Sequence, residues 1–165
     1  MSFGQAIASA FSKYFTFSGR ARRSEYWFFY LFNVIINVPL SILSIAVPEL
    51  VILGNIVSIG LFFPGLCVTV RRFHDIGKSG LNILLFTVLP IVIYAVATGI
   101  SIAIGTPFLI FFAAIFLIAM IVVYIIWMCR DSEPGYNKWG PNPKGIGNEP
   151  YETEITEDLP NIKME

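Results

Sequence analysis

Hydrophobic and polar positions alternate along this chain in long blocks. Tyr26 to Val47 contains no charged residue, Leu50 to Val70 contains none, and Leu81 to Cys129 forms a third uncharged run. An α-helix rises 1.5 Å per residue and needs about 20 apolar residues to cross a hydrocarbon layer of about 30 Å. The first two runs suit one crossing each. The third is long enough for two, and Gly105-Thr106-Pro107 breaks it near the middle, just as Pro48-Glu49 separates the first pair; Gly and Pro are the strongest local punctuators of helical pattern. The pattern predicts an all-α polytopic membrane protein with four spans near 26–47, 50–70, 81–104 and 108–129, arranged as two hairpins.

A shorter pattern precedes the first span. Phe3, Ile7, Phe11 and Phe15 recur every four positions, while Ser2, Gln5, Ser9, Ser12 and Lys13 fall between them. That spacing predicts an amphipathic N-terminal helix. It suits either the headgroup layer or the end of the helical bundle. The first fifteen residues lack a basic region followed by an apolar core and a small-residue cleavage site, so membrane entry is expected from the internal spans.

Beyond Arg130 the pattern changes. Pro134-Gly135, Gly140-Pro141, Asn142-Pro143 and Gly145 to Gly147 are closely spaced turn signals,. The reading divides the chain into a four-span domain with a polar cap, 1–144, and an acidic tail, 145–165. Its last part, Glu149 to Glu165, is expected to be disordered.

Composition agrees with lipid as the main solvent. Hydrophobic residues make up 56% of the 165 and charged residues 13%, against roughly 45–50% and 25% in soluble domains. Formal net charge is zero, which argues against a nucleic-acid partner. All eleven Lys and Arg fall in three blocks, Lys13 to Arg23, Arg71 to Lys78 and Arg130 to Lys163. Positive charge is retained on the cytoplasmic side, so both termini and the central loop are expected in the cytosol. Cys67 and Cys129 lie near the basic ends of spans and are then expected to be reduced.

Three clusters carry the candidate chemistry. In the first, Arg20, Arg22 and Arg23 precede Glu25, Tyr26 and Trp27. Guanidinium groups match phosphate oxygens in a fork, and aromatic rings with polar tips suit the membrane interface. The second holds Arg71, Arg72, His74 and Asp75. Were span two to continue for another turn, Arg71 and Asp75 would stand at i and i+4 and could pair. The third, Arg130 to Pro143, reads as a turn-rich loop folded against the membrane face. Its carboxylates miss calcium-loop spacing, and the single His74 has no Cys/His partners for a metal, so no metal or cofactor is expected. Because the clusters share one side, Glu25 and Asp75 are expected to pair with arginines from other segments, with His74 in the same network. Arg20, Arg22, Arg23, Arg71 and Arg72 are the expected lipid- or partner-binding set.

The spans contain no Asp, Glu, Lys, Arg or His, whereas ion-coupled pumps usually need an ionisable group at membrane depth. Asn33, Asn37, Asn55 and Ser58 supply polar contacts between helices. Pro39, Pro64 and Pro90 each free a backbone carbonyl and are expected to kink spans one to three.

Ser18-Gly19-Arg20-Ala21-Arg22-Arg23-Ser24-Glu25-Tyr26-Trp27, then Arg71-Arg72-Phe73-His74-Asp75, then Pro134-Gly135-Tyr136-Asn137-Lys138-Trp139-Gly140-Pro141-Asn142-Pro143, resemble the domain of unknown function 805 family of bacterial inner-membrane proteins. The resemblance covers roughly residues 1–144. It implies membrane residence and no assigned reaction. The leading expectation is a non-enzymatic protein whose cap binds anionic lipid headgroups or a partner protein, with homo-oligomer formation open. The alternative is a small oligomeric transporter or channel lined by Asn33, Asn37 and Asn55. An interfacial enzyme using His74 and Asp75 as an acid–base pair is the third reading.

Overall fold

A computed structural model describes residues 1–148; the expected acidic tail from Glu149 onward lies outside them. Among the described residues the fold is all-helical, with α1 (Phe3–Ser12), α2 (Arg23–Ala46), α3 (Leu50–Asp75), α4 (Leu89–Ile104) and α5 (Phe108–Cys129). A π-helical turn, Leu84–Val88, leads into α4. Four helical segments are long and apolar enough to cross a membrane: Arg23–Ala46, Leu50–Asp75, Leu84–Ile104 and Phe108–Cys129.

Local chemistry sets the ends of these elements. Ser2 and Gln5 form a reciprocal capping box at the start of α1, with Ser2 N–H donating to Gln5 Oε1 at 2.8 Å,. After α3, Gly77 takes a positive φ of 72° and Lys78 N–H donates back to the Phe73 carbonyl at 2.9 Å. This closes the helix with a left-handed glycine. Gly105, at φ 70°, ends α4 the same way. The π turn before α4 has a specific cause. Pro90 lacks an N–H and its ring crowds the carbonyl four residues back, so the helix widens to a five-residue repeat there,.

α3 extends five residues past the expected boundary at 70. The uncharged run ends at 70, and the further turn allowed for beyond it forms: Arg71 to Asp75 are helical, with their side chains buried in the polar cap. At 26 residues, α3 is about 39 Å long, more than the about 30 Å that hydrocarbon requires.

α2 packs on α3 and α4 on α5, giving two hairpins, while α1 lies across α2 and α3. Ala6 and Ala10 are fully buried, so α1 approaches closely on its small-residue side. Phe11 meets the rings of Phe29 and Phe32 at 6.1 Å each, edge-on. The hairpins join near the capped end, where Tyr26 and Phe29 of α2, Val68 and Phe73 of α3, Phe86 and Met128 form one buried cluster. Phe73 stacks on Phe86 at 6.2 Å. Away from this end the hairpins' apolar residues are largely exposed, the pattern of helices whose solvent is lipid.

Candidate functional site

Asp75, at the last position of α3, is the centre of the cap. It is fully buried and accepts from Arg20 Nε at 3.1 Å, Arg72 Nη1 at 2.5 Å and Ser132 Oγ at 2.6 Å. Two guanidinium groups on one carboxylate leave surplus positive charge, and backbone carbonyls absorb it. Arg20 Nη1 donates to the carbonyls of Gly135 at 2.8 Å and Gly140 at 3.2 Å, and its Nη2 donates to those of Asp75 and Glu133. All five N–H groups of Arg20 are thereby used. Arg72 donates to the Met128 carbonyl through Nε at 3.2 Å and Nη2 at 3.1 Å, and to the Arg130 carbonyl. Those carbonyls belong to the end of α5, where a cation also meets the negative pole of the helix.

A second buried pair lies under α1. Arg71 Nη1 donates to Glu25 Oε1 at 2.9 Å, and Ser9 Oγ donates to the same oxygen at 3.1 Å. Arg71 Nε and Nη2 have no partner among the described residues. The expected i, i+4 pairing of Arg71 with Asp75 is not formed: Asp75 is taken by Arg72, three residues before it, and by Arg20. On a helix both three- and four-residue spacings bring side chains together. The choice falls to α2, whose Glu25 faces Arg71.

His74 points elsewhere. Its ring stacks on Trp139 at 4.5 Å with 10° between planes, and Nδ1 lies 3.1 Å from the Gly19 carbonyl. Lys138 Nζ sits 4.2 Å from the Trp139 ring centre, a cation–π contact. His74 and Asp75, adjacent in sequence, therefore serve different neighbours, and no hydrogen bond joins them into an acid–base pair.

The loop after α5 is held by residues that spacing did not single out. Asn142 is buried, and its amide nitrogen donates to the Glu133 carbonyl at 2.9 Å. Asn137 Nδ2 donates to the His74 carbonyl at 3.0 Å and to Glu133 Oε2 at 2.9 Å. Ser9, Ser132, Asn137 and Asn142 all complete this network. The one sequence signal for the asparagines was their place among closely spaced turns.

Of the five arginines in the expected binding set, Arg20, Arg71 and Arg72 are buried. A headgroup reaches them only if the cap opens. Arg22 and Arg23 are half-buried: Arg22 donates to the Pro143 carbonyl at 3.0 Å, and Arg23 to the Cys129 carbonyl at 3.2 Å and Asp131 at 3.1 Å. Lys144 also pairs with Asp131. Lys144, the Ser132 amide and Arg23 hold the Asp131 carboxyl below the usual carboxylate range. Among the described residues no group of three or more His, Cys, Asp and Glu is placed to hold a metal, and both cysteines are free, Cys67 buried and Cys129 exposed.

The cap thus ties three segments into one structure, each segment contributing donors that another satisfies. The chain is 30% identical over 141 residues to inner membrane protein YhaI of Escherichia coli (strain K12), covering 85% of this chain and 96% of YhaI. It is 31% identical over 136 residues to inner membrane protein YhaH of the same strain, covering 79% and 89%. No solved structure matches. The profile of a family described as a protein of unknown function, DUF805, matches residues 14–141, a stretch that holds the first two motifs of the cap and the third as far as Pro141, and this integral membrane protein belongs to that family.

Proposed function

We propose that this is a non-enzymatic protein of the bacterial inner membrane, with both termini and the polar cap in the cytosol, and that the outer surface of the cap binds anionic lipid headgroups. The supporting observation is the charge left over once the interior is paired. Asp75 and Glu25 are occupied by Arg20, Arg72 and Arg71. Within residues 1–148 that leaves Arg22, Arg23, Lys78, Arg130, Lys138 and Lys144 at the cap end, against Asp131 and Glu133. Each basic residue near an anionic leaflet adds about 1 kcal/mol of attraction. The N-terminal segment also exposes the rings of Phe3, Phe11 and Phe17, a combination suited to the headgroup layer.

Two experiments test this. Native mass spectrometry of the reconstituted protein should show retained phospholipid enriched in anionic species. The enrichment should fall when Arg22, Arg23, Lys138 and Lys144 are changed together to Gln. An unaltered ratio in that variant overturns the headgroup reading. For orientation, the exposed Cys129 should react with an impermeant maleimide only after cells are permeabilised, and labelling of intact cells overturns the cytosolic placement.

A further inference from the structure

Two clefts open between the hairpins at membrane depth and meet at one cluster of hydroxyl groups. The first, about 450 Å³, runs along α2 and α3 past Asn33 and Asn37. The second, about 540 Å³, lies between α2 and the α4–α5 hairpin. Both fall in the range of roughly 300–1,000 Å³ typical of small-ligand sites. Tyr26, Tyr30, Thr87 and Tyr124 line both clefts.

Tyr26 and Tyr124 satisfy each other, their hydroxyls 2.9 Å apart. The hydroxyls of Tyr30 and Thr87 make no hydrogen bond among the described residues, and Tyr30 is 56% exposed. In water such groups would be hydrated. Here the surrounding medium is hydrocarbon, which offers neither donor nor acceptor. Both residues line the clefts, so two donors without a protein partner border space that acyl chains alone leave unsatisfied. Thr87 also sits in the π-helical turn, and single π turns inside α-helices recur at functional sites.

The remaining lining narrows the chemistry. Neither cleft is lined by Asp, Glu, Lys, Arg or His, so a charged ligand would lie uncompensated at this depth. The second cleft is walled by the rings of Tyr26, Trp27, Tyr30, Phe86 and Tyr124, surfaces that favour another flat ring. Ile91, Leu117 and Ile121 continue the wall deeper into the span, where an apolar tail would lie.

We infer that this junction binds a lipid-soluble quinone: an uncharged planar ring whose carbonyl oxygens accept from Thr87 and Tyr30, carrying an apolar tail along α4 and α5. A phospholipid brings charge to an uncharged site, and its ester carbonyls come with no flat ring for the aromatic wall. The inference is independent of the headgroup reading, which concerns the cap surface.

The test uses the full chain in nanodiscs of phosphatidylcholine, titrated with a benzoquinone bearing a short isoprenoid tail and followed by quenching of tryptophan fluorescence. Partition into the bilayer gives a component linear in quinone. Binding adds a saturable component of one quinone per chain. Thr87→Val and Tyr30→Phe should each weaken it about five-fold, the effect of one hydrogen bond. Ser44→Ala, near the far end of α2, should leave it unchanged. Purely linear quenching overturns the inference, as does saturable quenching of equal affinity in all variants. Displacement by diacylglycerol at equal concentration also overturns it, because the acceptor then belongs to an ester and not to a ring.

Discussion

The phenol of Tyr14 donates to the carbonyl of Gly60 at 2.5 Å, joining the segment after α1 to the middle of α3. Gly60 lies four residues before Pro64, and its carbonyl is the one that Pro64, lacking an N–H, leaves without a helical donor,. Gly60 is fifteen residues from Asp75, about 22 Å along the axis, so Tyr14 reaches well below the cap. Phe15 follows it down, its ring 5.6 Å from that of Phe63. A side chain from the segment after α1 thus completes the hydrogen bonding of a helix interrupted by proline. Tyr14→Phe should destabilise the fold by about 1–2 kcal/mol, since a carbonyl in an apolar setting is left unmet. In a Pro64→Ala background the backbone N–H restored at that position meets the carbonyl, and the same Tyr14→Phe change should cost little. Unfolding in mixed micelles, read as a double-mutant cycle, measures the coupling; equal costs in both backgrounds would contradict the arrangement.

Asp75 offers the largest single effect. Asp75→Ala leaves Arg20 and Arg72 buried without their carboxylate, and breaking a buried ion pair from one side costs about 3–5 kcal/mol. The loop after α5 should loosen as well, because Ser132 Oγ donates to the Asp75 carboxylate and loses that acceptor; the Glu133 amide keeps its bond to the Asp75 main-chain carbonyl. Hydrogen exchange of residues 131–142 would then speed up ahead of the spans.

The Glu25–Arg71 pair answers differently to one change than to two. Glu25→Gln leaves a buried cation whose Nε and Nη2 already lack partners. Glu25→Gln combined with Arg71→Met removes both charges and should cost less than Glu25→Gln alone. Thermal unfolding of the three proteins decides this.

Gly80 and Gly77 are tight in different ways. A Cβ on Gly80 would lie 2.5 Å from Val70 Cγ1, so Gly80→Ala should cost about 1–3 kcal/mol by overpacking. At Gly77 a Cβ would combine positive φ with an approach of 2.8 Å to Glu133 Oε2. Gly77→Ala should therefore weaken both the end of α3 and the Glu133–Asn137 contact, and Glu133→Ala should recover only the steric part. Melting temperatures of the single and double variants test the separation.

The raised acidity of Asp131 sets a pH dependence. Its carboxyl binds a proton less readily in the folded cap than in the unfolded chain. The unfolded chain therefore takes up protons first on acidification. The contact with Lys144 and Arg23 is present at neutral pH and is lost as pH falls through and below the ordinary carboxylate range. Asp131 is exposed, so salt should blunt the effect. Asp131→Asn should flatten the acid limb of cap stability, as read by the fluorescence of Trp139; an unaltered acid limb would show that another carboxylate carries it.

The four spans, their pairing into hairpins and the gathering of basic residues at one end were legible in the chain itself. Each depends on local quantities: the length of an uncharged run, a Gly or Pro break, the spacing of aromatics in α1. The bound of span two at 70 marks where the uncharged run ends, and helix α3 continues past it through Arg71 to Asp75. They remain helical because partners from α2, from Arg20 and from the loop after α5 bury them. Which carboxylate takes which arginine could not be read from spacing, since Arg20 and Asp75 stand 55 positions apart and Arg72 and the Met128 carbonyl 56. Tertiary structure alone decided that three arginines turn inward and that Tyr14 meets the carbonyl freed by Pro64. The physical reason is one of range: hydrocarbon selects segments by composition, one helix at a time, whereas hydrogen bonds and ion pairs act over about 3 Å and select partners only after packing has brought distant segments together.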